Sequence, residues 1–448
     1  MVSANSLSGQ KVYTFPRGGI FFEDPSAPAR DSYAVAYLPS LSVIPLIQHS
    51  GERAYPVVSL GETVKEGMLI GRARGPGSAN VHAAVPGKVI RIASWKAEGG
   101  QHQEGIVIRM EGSFEKLGKR EEHFPWEGMF YYDIQRTISE MGVVVMEGRG
   151  KPVADLLSSF RSDSEQVTLV VRCVFDDPWF ASDYVLCSER TAAVAEGAAI
   201  ASRTCRVSRI IYAVSHREKE LGELFIAAGD KWGIPVSVVL VGSRYPQRNR
   251  RELELVLRNY VKKEGLELGS MLILGPATLA AVYDAVKLRK PILERYISVG
   301  GSAVRQPQVM KVRIGTRFGD VFAECGGFKG HPKKVGVGSP LLGRAITNLD
   351  EPVTKTCYAV FALLEEYRRG GTASRLQEGC INCGECRNVC PVGLDPEELY
   401  KGTLVNGMLD SAAYCPPPEC HGCGCCEVVC PSRLPLSSSI SASALRGN

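Results

Sequence analysis

Between about residues 130 and 290, short apolar runs alternate with longer amphipathic stretches. Apolar runs bounded by glycine, proline or charged residues predict buried strands, and apolar positions three and four residues apart predict the helices that cover them. The predicted strands are 167–175, 209–215, 236–241 and 271–274, and the predicted helices are 192–202, 216–231, 252–263 and 277–287. This alternation predicts an α/β domain over 125–292 with a mainly parallel sheet. In such a sheet the loops after Phe175, Val241 and Leu274 gather at the carboxyl edge, where ligands bind.

Before this domain the pattern changes to a period of two between glycine turns. Residues 57–71 alternate apolar and polar positions, and residues 81–92 form a second, similar unit. Two such quasi-repeated hairpins resemble the barrel sandwich of biotinyl and lipoyl domains. Those domains carry a modified lysine between the units, but residues 72–78 read RARGPGS. We therefore predict a docking or scaffolding barrel sandwich without a lysine arm over 31–115, preceded by an extended arm over 1–30.

After the α/β domain the chain returns to short strands and turns. Residues 309–316 and 320–322 lie in a compact stretch, 295–346, that predicts a β-grasp module similar to SLBB domains. Residues 350–370 are predicted to form a linker helix, which opens a last region over 350–448.

This last region holds most of the cysteine. Ten of the 15 cysteines follow residue 379, and eight of them make one pattern twice. The first run is Cys380, Cys383, Cys386 and Cys390, and the second is Cys420, Cys423, Cys426 and Cys430. Each run reads C-x2-C-x2-C-x3-C-P, the pattern that binds [4Fe–4S] clusters in bacterial two-cluster ferredoxins. The sequence therefore predicts two [4Fe–4S] clusters and an electron-transfer role.

The fourth cysteine of such a run usually binds the other cluster. We predict that one cluster is held by Cys380, Cys383, Cys386 and Cys430, and the other by Cys420, Cys423, Cys426 and Cys390. A structural zinc site would not need the third cysteine or the proline of each run. Disulfides would need an oxidising compartment, and no signal peptide is visible at the N-terminus. Cys425, inside the second run, fits no ligand position, and a buried free thiol is the simpler interpretation; Cys415 lies nearby, and the sequence assigns it no role.

Length and charge narrow the class of protein. A chain of 448 residues predicts about three or four domains. The net charge of +5 is too small to indicate nucleic-acid binding, although it suits an acidic redox partner or an anionic membrane face. Apolar runs are far shorter than the ~20 residues of a membrane helix. We expect a cytoplasmic chain that meets a membrane only through its partners.

The order of these parts, together with several short matches, resembles the RnfC family of the Rnf electron transport complex over nearly the whole chain. The matches are 18–20 (GGI), 44–51 (the family's I-P-L-x-Q-H-x-G), 81–83 with 87–89, 245–247 (YPQ), 312–316, 325–327 and the cysteine runs. The fold class is then multidomain α/β plus β: a barrel-sandwich hybrid, a Rossmann-like α/β domain, an SLBB-like β-grasp module and an α-helical two-cluster ferredoxin domain.

The resemblance implies a peripheral subunit on the cytoplasmic face of the bacterial inner membrane. In that family, electrons pass between ferredoxin and NAD, and the energy moves Na⁺ or H⁺ across the membrane. The resemblance implies membrane-integral and ferredoxin-like Rnf subunits as partners, with ferredoxin or NAD(H) as further candidates. The α/β domain is similar to the NADH- and FMN-binding subunit of respiratory complex I. FMN and NAD(H) are therefore candidate cofactors besides the clusters.

The chain departs from the family at the glycine-rich loop G-M-G-G-A-G-F-P-T-H-x-K-L, whose bare backbone approaches flavin or nucleotide phosphate. Residues 145–157 read VMEGRGKPVADLL, so Val145 and Glu147 replace glycines. A carboxylate repels phosphate, and added Cβ atoms block close approach of the backbone. Arg149 and Lys151 could instead rebuild an anion site with their side chains.

A second family signature, N-G-x-E-C-E-P-Y, corresponds to residues 171–179, where only the final acid, proline and aromatic residue are kept. Three hypotheses therefore stay open. The chain is an RnfC-type subunit, a related soluble reductase such as a cobalamin reductase, or a non-enzymatic adapter that relays electrons past a vestigial nucleotide domain. The cobalamin reductases place the flavin-type domain first, whereas this chain places the barrel sandwich first.

Overall fold

A computed structural model describes residues 7, 9–96, 102–112, 122–162, 166–229, 231–267, 269–364, 379–402, 404–405, 408–409 and 419–442. Across these ranges, no helix combines the length and the apolar character that crossing a membrane would require. The N-terminal arm runs along the α/β domain, where Tyr13 bridges Val241 in parallel and Ile20 bridges Tyr245 in antiparallel orientation.

The front of the chain folds as short strands. They are β1 (Tyr33–Val35), β2 (Leu41–Pro45), β3 (Tyr55–Pro56), β4 (Thr63–Val64), β5 (Leu69–Arg72), β6 (Val81–His82), β7 (Gly87–Lys96) and β8 (His102–Met110). One antiparallel sheet has the order β2-β8-β7-β4, and a second has the order β3-β5-β6. The alternating apolar positions point between the two sheets, where Ile44, Ile70 and Ile106 are fully buried. This is the predicted sandwich of quasi-repeated hairpins.

The middle of the chain alternates strands and helices. The elements are α1 (Tyr131–Glu140), α2 (Val153–Ser162), β9 (Val167–Cys173), α3 (Ala181–Glu189), α4 (Thr191–Thr204), β10 (Val207–Ser215), α5 (Lys219–Gly229), β11 (Val236–Val241), α6 (Arg250–Lys263), β12 (Ser270–Leu274) and α7 (Pro276–Lys287). The strands form a parallel sheet in the order β11-β10-β9-β12. The four predicted strands and the four predicted helices are present with ends shifted by a few residues, and α1, α2 and α3 are additional to them.

A mixed sheet follows the α/β domain. Its own elements are β13 (Glu294–Gly300), β14 (Gln308–Arg313), α8 (Phe318–Glu324), β15 (Lys334–Val337), β16 (Arg344–Ile346) and β17 (Ala359–Leu363). The order is β1-β14-β13-β17-β15-β16, so the first strand of the chain completes this sheet by pairing in parallel with β14. Residues 320–322 lie in α8 rather than in a short strand, because Phe318, Val321 and Phe322 form one apolar helical face against the sheet.

The predicted linker helix over 350–370 is wrong for the residues that the structure describes. Residues 359–363 form β17, which is buried along its whole length and pairs with both β13 and β15. Alanine and leucine favour a helix in isolation, but two neighbouring strands supply hydrogen bonds and burial on both faces, and this tertiary context decides the conformation. Residues 365–370 of that prediction lie outside the described ranges.

The cysteine-rich end contains a short helix within each cysteine run and another helix after it. Its elements are α9 (Glu385–Asn388), α10 (Pro396–Gly402), β18 (Leu404–Val405), β19 (Met408–Leu409), α11 (Cys425–Val428) and α12 (Leu436–Ala442). The two halves repeat one arrangement, since Gly384 precedes α9 and Gly424 precedes α11, both with a left-handed backbone (φ of 77° and 83°). Glycine adopts this conformation without a Cβ penalty, and it turns each cysteine loop into its helix.

Candidate iron–sulfur and flavin sites

The cysteines of the two runs line two separate cavities. Four thiols, together with apolar residues of both halves, line the first cavity: Cys380, Cys383, Cys386 and Cys430. Three thiols of the second run and the last thiol of the first run line the second cavity: Cys390, Cys420, Cys423 and Cys426. Each cavity therefore collects three cysteines from one run and the fourth from the other.

Backbone N–H groups are directed at the thiols. Leu394 N–H donates to Cys390 Sγ at 3.2 Å, and Asn382 N–H donates to Cys380 Sγ at 3.4 Å. Such bonds are one of the means by which a protein sets the potential of an iron–sulfur cluster. Cys390 and Cys430 are buried, whereas Cys380 and Cys383 are exposed, so the first cavity opens towards solvent.

A carboxylate also borders the first cavity. The Cys386 thiol donates to Glu397 Oε2 at 3.1 Å, and Arg387 pairs with both Glu397 and Asp395. A thiolate at Cys386 would give up its bond to Glu397, and Arg387 supplies the positive charge that keeps the carboxylate paired. Four sulfur donors in a largely apolar cavity fit an iron–sulfur cluster.

A cubane cluster and a single metal ion need different arrangements of their ligands. Among the described residues, no three His, Cys, Asp or Glu side chains are placed to hold a metal ion together. Mononuclear zinc needs its four ligands to converge on one atom. In a cubane each cysteine binds a different iron, so its four thiols surround a volume.

Cys425 also borders the second cavity, where its thiol is hydrogen-bonded to that of Cys423. It is fully buried and packs in an apolar cluster with Tyr245 and Leu341. This packing agrees with its interpretation as a free buried thiol. Cys415 lies outside the described residues.

The second cavity rests on the α/β domain. Tyr245 Oη donates to the Cys423 carbonyl at 2.6 Å, and Arg251 Nη1 donates to the Glu419 carbonyl at 3.1 Å. From the N-terminal arm, Gly19 N–H donates to the Val389 carbonyl at 2.8 Å. Tyr245 and Arg251 therefore position the second cysteine run, and the arm positions the end of the first run, next to Cys390.

The carboxyl edge of the parallel sheet holds a network of buried charges. Glu147, from the altered glycine-rich loop, pairs with Arg172 at the end of β9 and with Arg248 at 2.9 Å. Arg248 also pairs with Asp183 at 3.1 Å, and Arg295 lies 3.9 Å from the same carboxylate. The loops after three strands meet here, as the pattern of the sequence predicts.

Further bonds hold the guanidinium groups in place. Arg248 Nη1 donates to the Val174 carbonyl at 3.0 Å, and its backbone N–H donates to Asp176 Oδ2 at 2.9 Å. Arg295 donates to the carbonyls of Met146 and Cys357. In the described part of the chain, Arg172 Nε and Arg295 Nη1 have no hydrogen-bond partner.

The electrostatics keep Glu147 ionised. Burial opposes ionisation, but Arg172, Arg248 and Arg295 outweigh it and hold the pKa of Glu147 below its ordinary value. Asp176 behaves differently, because burial raises its pKa to about 7 in spite of the nearby Arg248. The network is therefore built around an anionic Glu147.

Local sequence pattern indicates only part of this network. Glu147 stands out by its departure from the family loop, whereas no sequence motif marks Arg248, Asp183 or Arg295. A charged residue inside an apolar strand, such as Arg172 in VTLVVRC, is the one signal that could have indicated a buried ion pair.

These residues do not fit a flavin phosphate. An ideal Cβ on Gly275, directly after β12, would lie 2.2 Å from Glu147 Oε1, so the carboxylate fills the space outside this strand. Arg149 and Lys151 are exposed on the loop and neither takes part in the network. No reaction step is therefore assigned to flavin in this domain.

The fold and the sites define a multidomain protein that joins a barrel sandwich, a flavin-type α/β domain and a β-grasp sheet. Three family models match it: the RnfC barrel sandwich hybrid domain at residues 14–113, the Nuo51 FMN-binding domain at 138–284 and the SLBB domain at 296–343.

Relatives agree with these matches. The chain is 31% identical over 388 residues to the C subunit of the ion-translocating oxidoreductase complex of Rhodobacter capsulatus, covering 84% of this chain and 72% of the relative. It is 30% identical over 387 residues to the C subunit of the proton-translocating ferredoxin:NAD(+) oxidoreductase complex of Clostridium ljungdahlii, covering 86% and 83%. The chain belongs to the RnfC family, the C subunits of the Rnf-type ion-translocating oxidoreductase complexes.

Among solved structures, an NAD+-reducing [NiFe]-hydrogenase in the H2-reduced state is similar at a TM-score of 0.49 and 14% identity, over 72% of this chain and 61% of that chain.

Proposed function

We propose that this chain is the peripheral electron-transfer subunit of an Rnf-type complex, bound to the cytoplasmic face of the inner membrane through membrane-integral and ferredoxin-like partner subunits. Its role is to carry electrons within a complex that couples electron transfer of the ferredoxin and NAD class to ion translocation. The observation that carries the proposal is the pair of cavities, each lined by four thiols of the two runs.

Cys380, Cys383, Cys386 and Cys430 would hold one [4Fe–4S] cluster, and Cys420, Cys423, Cys426 and Cys390 the other. When bound, such a cluster accepts and returns single electrons at a potential set by its charge, its N–H···S bonds and its exposure. The exposed Cys380 and Cys383 give a partner protein access to the first cavity. Tyr245, the arm and Arg251 hold the second cavity against the α/β domain.

The test is the iron content and the EPR signal of the full chain, purified anaerobically and reconstituted. Two clusters predict about eight irons per chain and a signal from reduced clusters. Far fewer irons and no such signal would overturn the proposal.

Paired substitutions test the ligand assignment. Cys383→Ser and Cys430→Ser should each remove the same cluster, whereas Cys423→Ser and Cys390→Ser should each remove the other. Cys425→Ser, at a buried non-ligand position next to Cys426, is the matched control and should keep the iron of both. Loss of the same cluster in Cys383→Ser and Cys390→Ser would contradict the prediction that the fourth cysteine of each run binds the cluster of the other run.

A further inference from the structure

We infer that the α/β domain of this chain binds no flavin, because its own charged side chains occupy the cofactor crevice, and that the chain therefore exchanges electrons only with one-electron carriers. The second part rests on the proposed iron–sulfur function. The first part stands on the geometry of the crevice alone.

The first observation is that three N–H groups of the loop which should cradle a phosphate are bonded within the protein. Val145 N–H donates to the Lys151 carbonyl at 2.8 Å, Met146 N–H to Thr278 Oγ1 at 3.0 Å and Gly150 N–H to the Glu147 carbonyl at 3.3 Å. A phosphate-binding loop works by presenting such groups to the anion. Here these three N–H groups are already satisfied by the protein and are not available to an anion.

The second observation is the position and charge of Glu147. Its carboxylate projects between Arg172 and Arg248, outside the carboxyl end of β12, and it lies against Gly275. Glu147 gives the buried guanidinium groups the negative charge that a phosphate would otherwise provide. An entering phosphate would have to displace an ionised carboxylate and leave it buried without a partner, which is strongly unfavourable.

The third observation concerns flat surfaces. A flavin ring needs a planar slot, but the aromatic groups at this edge are already stacked. The Arg248 guanidinium lies 3.9 Å from the centre of the Phe180 ring, and Phe180 stacks on Tyr358 with 4.4 Å between ring centres and an angle of 9°. Arg248 is only 6% exposed, so the stack closes the crevice from the side of the β-grasp sheet.

The consequence for function depends on the number of electrons that NADH and the clusters each transfer in one step. NADH gives up a hydride, which carries two electrons, and a flavin is the usual group that accepts it and passes single electrons onward. A chain with clusters and no flavin can take one electron from a reduced carrier protein and give one electron to the next, with no proton moved. NAD(H) is then not a substrate of this chain, and any hydride chemistry of the complex belongs to another subunit or another copy of the flavin-type domain.

The experiment uses the full chain, purified anaerobically with its iron. Flavin is measured in the acid extract, and FMN is titrated against the protein by quenching of FMN fluorescence and by the shift of the melting temperature. A flavodoxin is the positive control for both measurements. We expect no stoichiometric flavin, no quenching and no shift. One FMN per chain, or saturable quenching, would overturn the inference.

A second arm tests the electron carriers. A reduced viologen dye, which donates single electrons, should bleach the cluster absorbance, whereas NADH should leave it unchanged with or without added FMN. Bleaching by NADH would overturn the inference and leave the proposed function intact. Absence of iron and of bleaching by the dye would overturn the proposed function instead, so the two failures are distinguishable.

Discussion

Glu147 is held between guanidinium groups that have little access to water. The side chains of Arg172 and Arg248 are 15% and 7% exposed. Removing one partner from a buried pair leaves an uncompensated charge in the interior, and this cost exceeds the value of an exposed ion pair several-fold.

Glu147→Gln should therefore lower the free energy of unfolding by about 3 kcal/mol. The pKa of Glu147 is held below its ordinary value of 4.5. The loss of unfolding free energy in the variant should therefore be complete above pH 4.5 and should become smaller as the pH falls below that value. Denaturant unfolding from pH 7 to pH 4 measures both effects. Glu140→Gln, at the exposed end of α1, is the control and should change stability by less than about 0.5 kcal/mol. Equal effects of the two substitutions would contradict the network.

Lys355 is buried where three domains meet. Its Nζ donates to the carbonyls of Asn80 and Gly142, each at 2.8 Å. Burial lowers its pKa from 10.5 to about 7, and burial, helped by the nearby Lys355, lowers the pKa of His82 to about 3.

The unfolded chain keeps the Lys355 proton up to its ordinary pKa, whereas the folded chain releases it near pH 7. The unfolded state thus binds more protons between these values, and stability rises with pH in that window. Wild type should gain stability relative to Lys355→Met as the pH is raised from 7 to 10, as measured by urea unfolding. Lys88→Met, at an exposed position on β7, controls for the loss of a positive charge. The prediction would be contradicted if the free energies of unfolding of wild type and Lys355→Met differed by the same amount at every pH.

At the scale of elements, α4 and α7 approach closely because both present small residues. The buried faces include Ala195, Ala198 and Ala199 on α4 and Ala277 and Ala280 on α7. The alanine-rich pattern predicted two helices, but their contact at Gly197 is a property of the packed structure. An ideal Cβ on Gly197 would lie 2.0 Å from the Leu279 carbonyl oxygen.

Gly197→Ala should accordingly destabilise the protein by about 1–3 kcal/mol, because the two helices must move apart. The matched control is Gly319→Ala in α8, where the nearest atoms to an added Cβ lie at 3.5 Å or more. There the better helix propensity of alanine should leave stability unchanged or raise it by up to about 1 kcal/mol. Thermal unfolding compares the two variants, and a stabilising Gly197→Ala would show that the helices are not in contact at this point.

At the scale of the whole molecule, the N-terminal arm joins the cysteine-rich end to the α/β domain. Tyr13 extends the sheet beside β11, and Gly18 lies against the backbone of Val389 and Cys390. A Cβ on Gly18 would come within 2.6 Å of the Cys390 carbonyl group. The arm therefore fixes the position of Cys390, the residue of the first run whose thiol lines the second cavity.

Gly18→Ala should loosen this contact and speed the release of the C-terminal region by limited proteolysis several-fold. Gly75→Ala is the control, because Gly75 has a similar left-handed backbone (φ of 82° against 64°) and no atom within 4 Å of an added Cβ. Comparing the two variants distinguishes the steric clash at Gly18 from the backbone strain that alanine causes at either position. Equal release from both variants would show that strain alone is responsible.

The amino-acid sequence by itself determined the order of the domains, the parallel sheet and the cysteine runs, because each depends on local periodicity or on fixed spacing. Tertiary structure decided what local pattern does not contain. It made residues 359–363 a strand between two others, joined β1 to a sheet far along the chain, and brought Glu147, Arg172, Arg248 and Asp183 together. These outcomes depend on contacts between segments distant in sequence, where burial and the pairing of charges outweigh local preference.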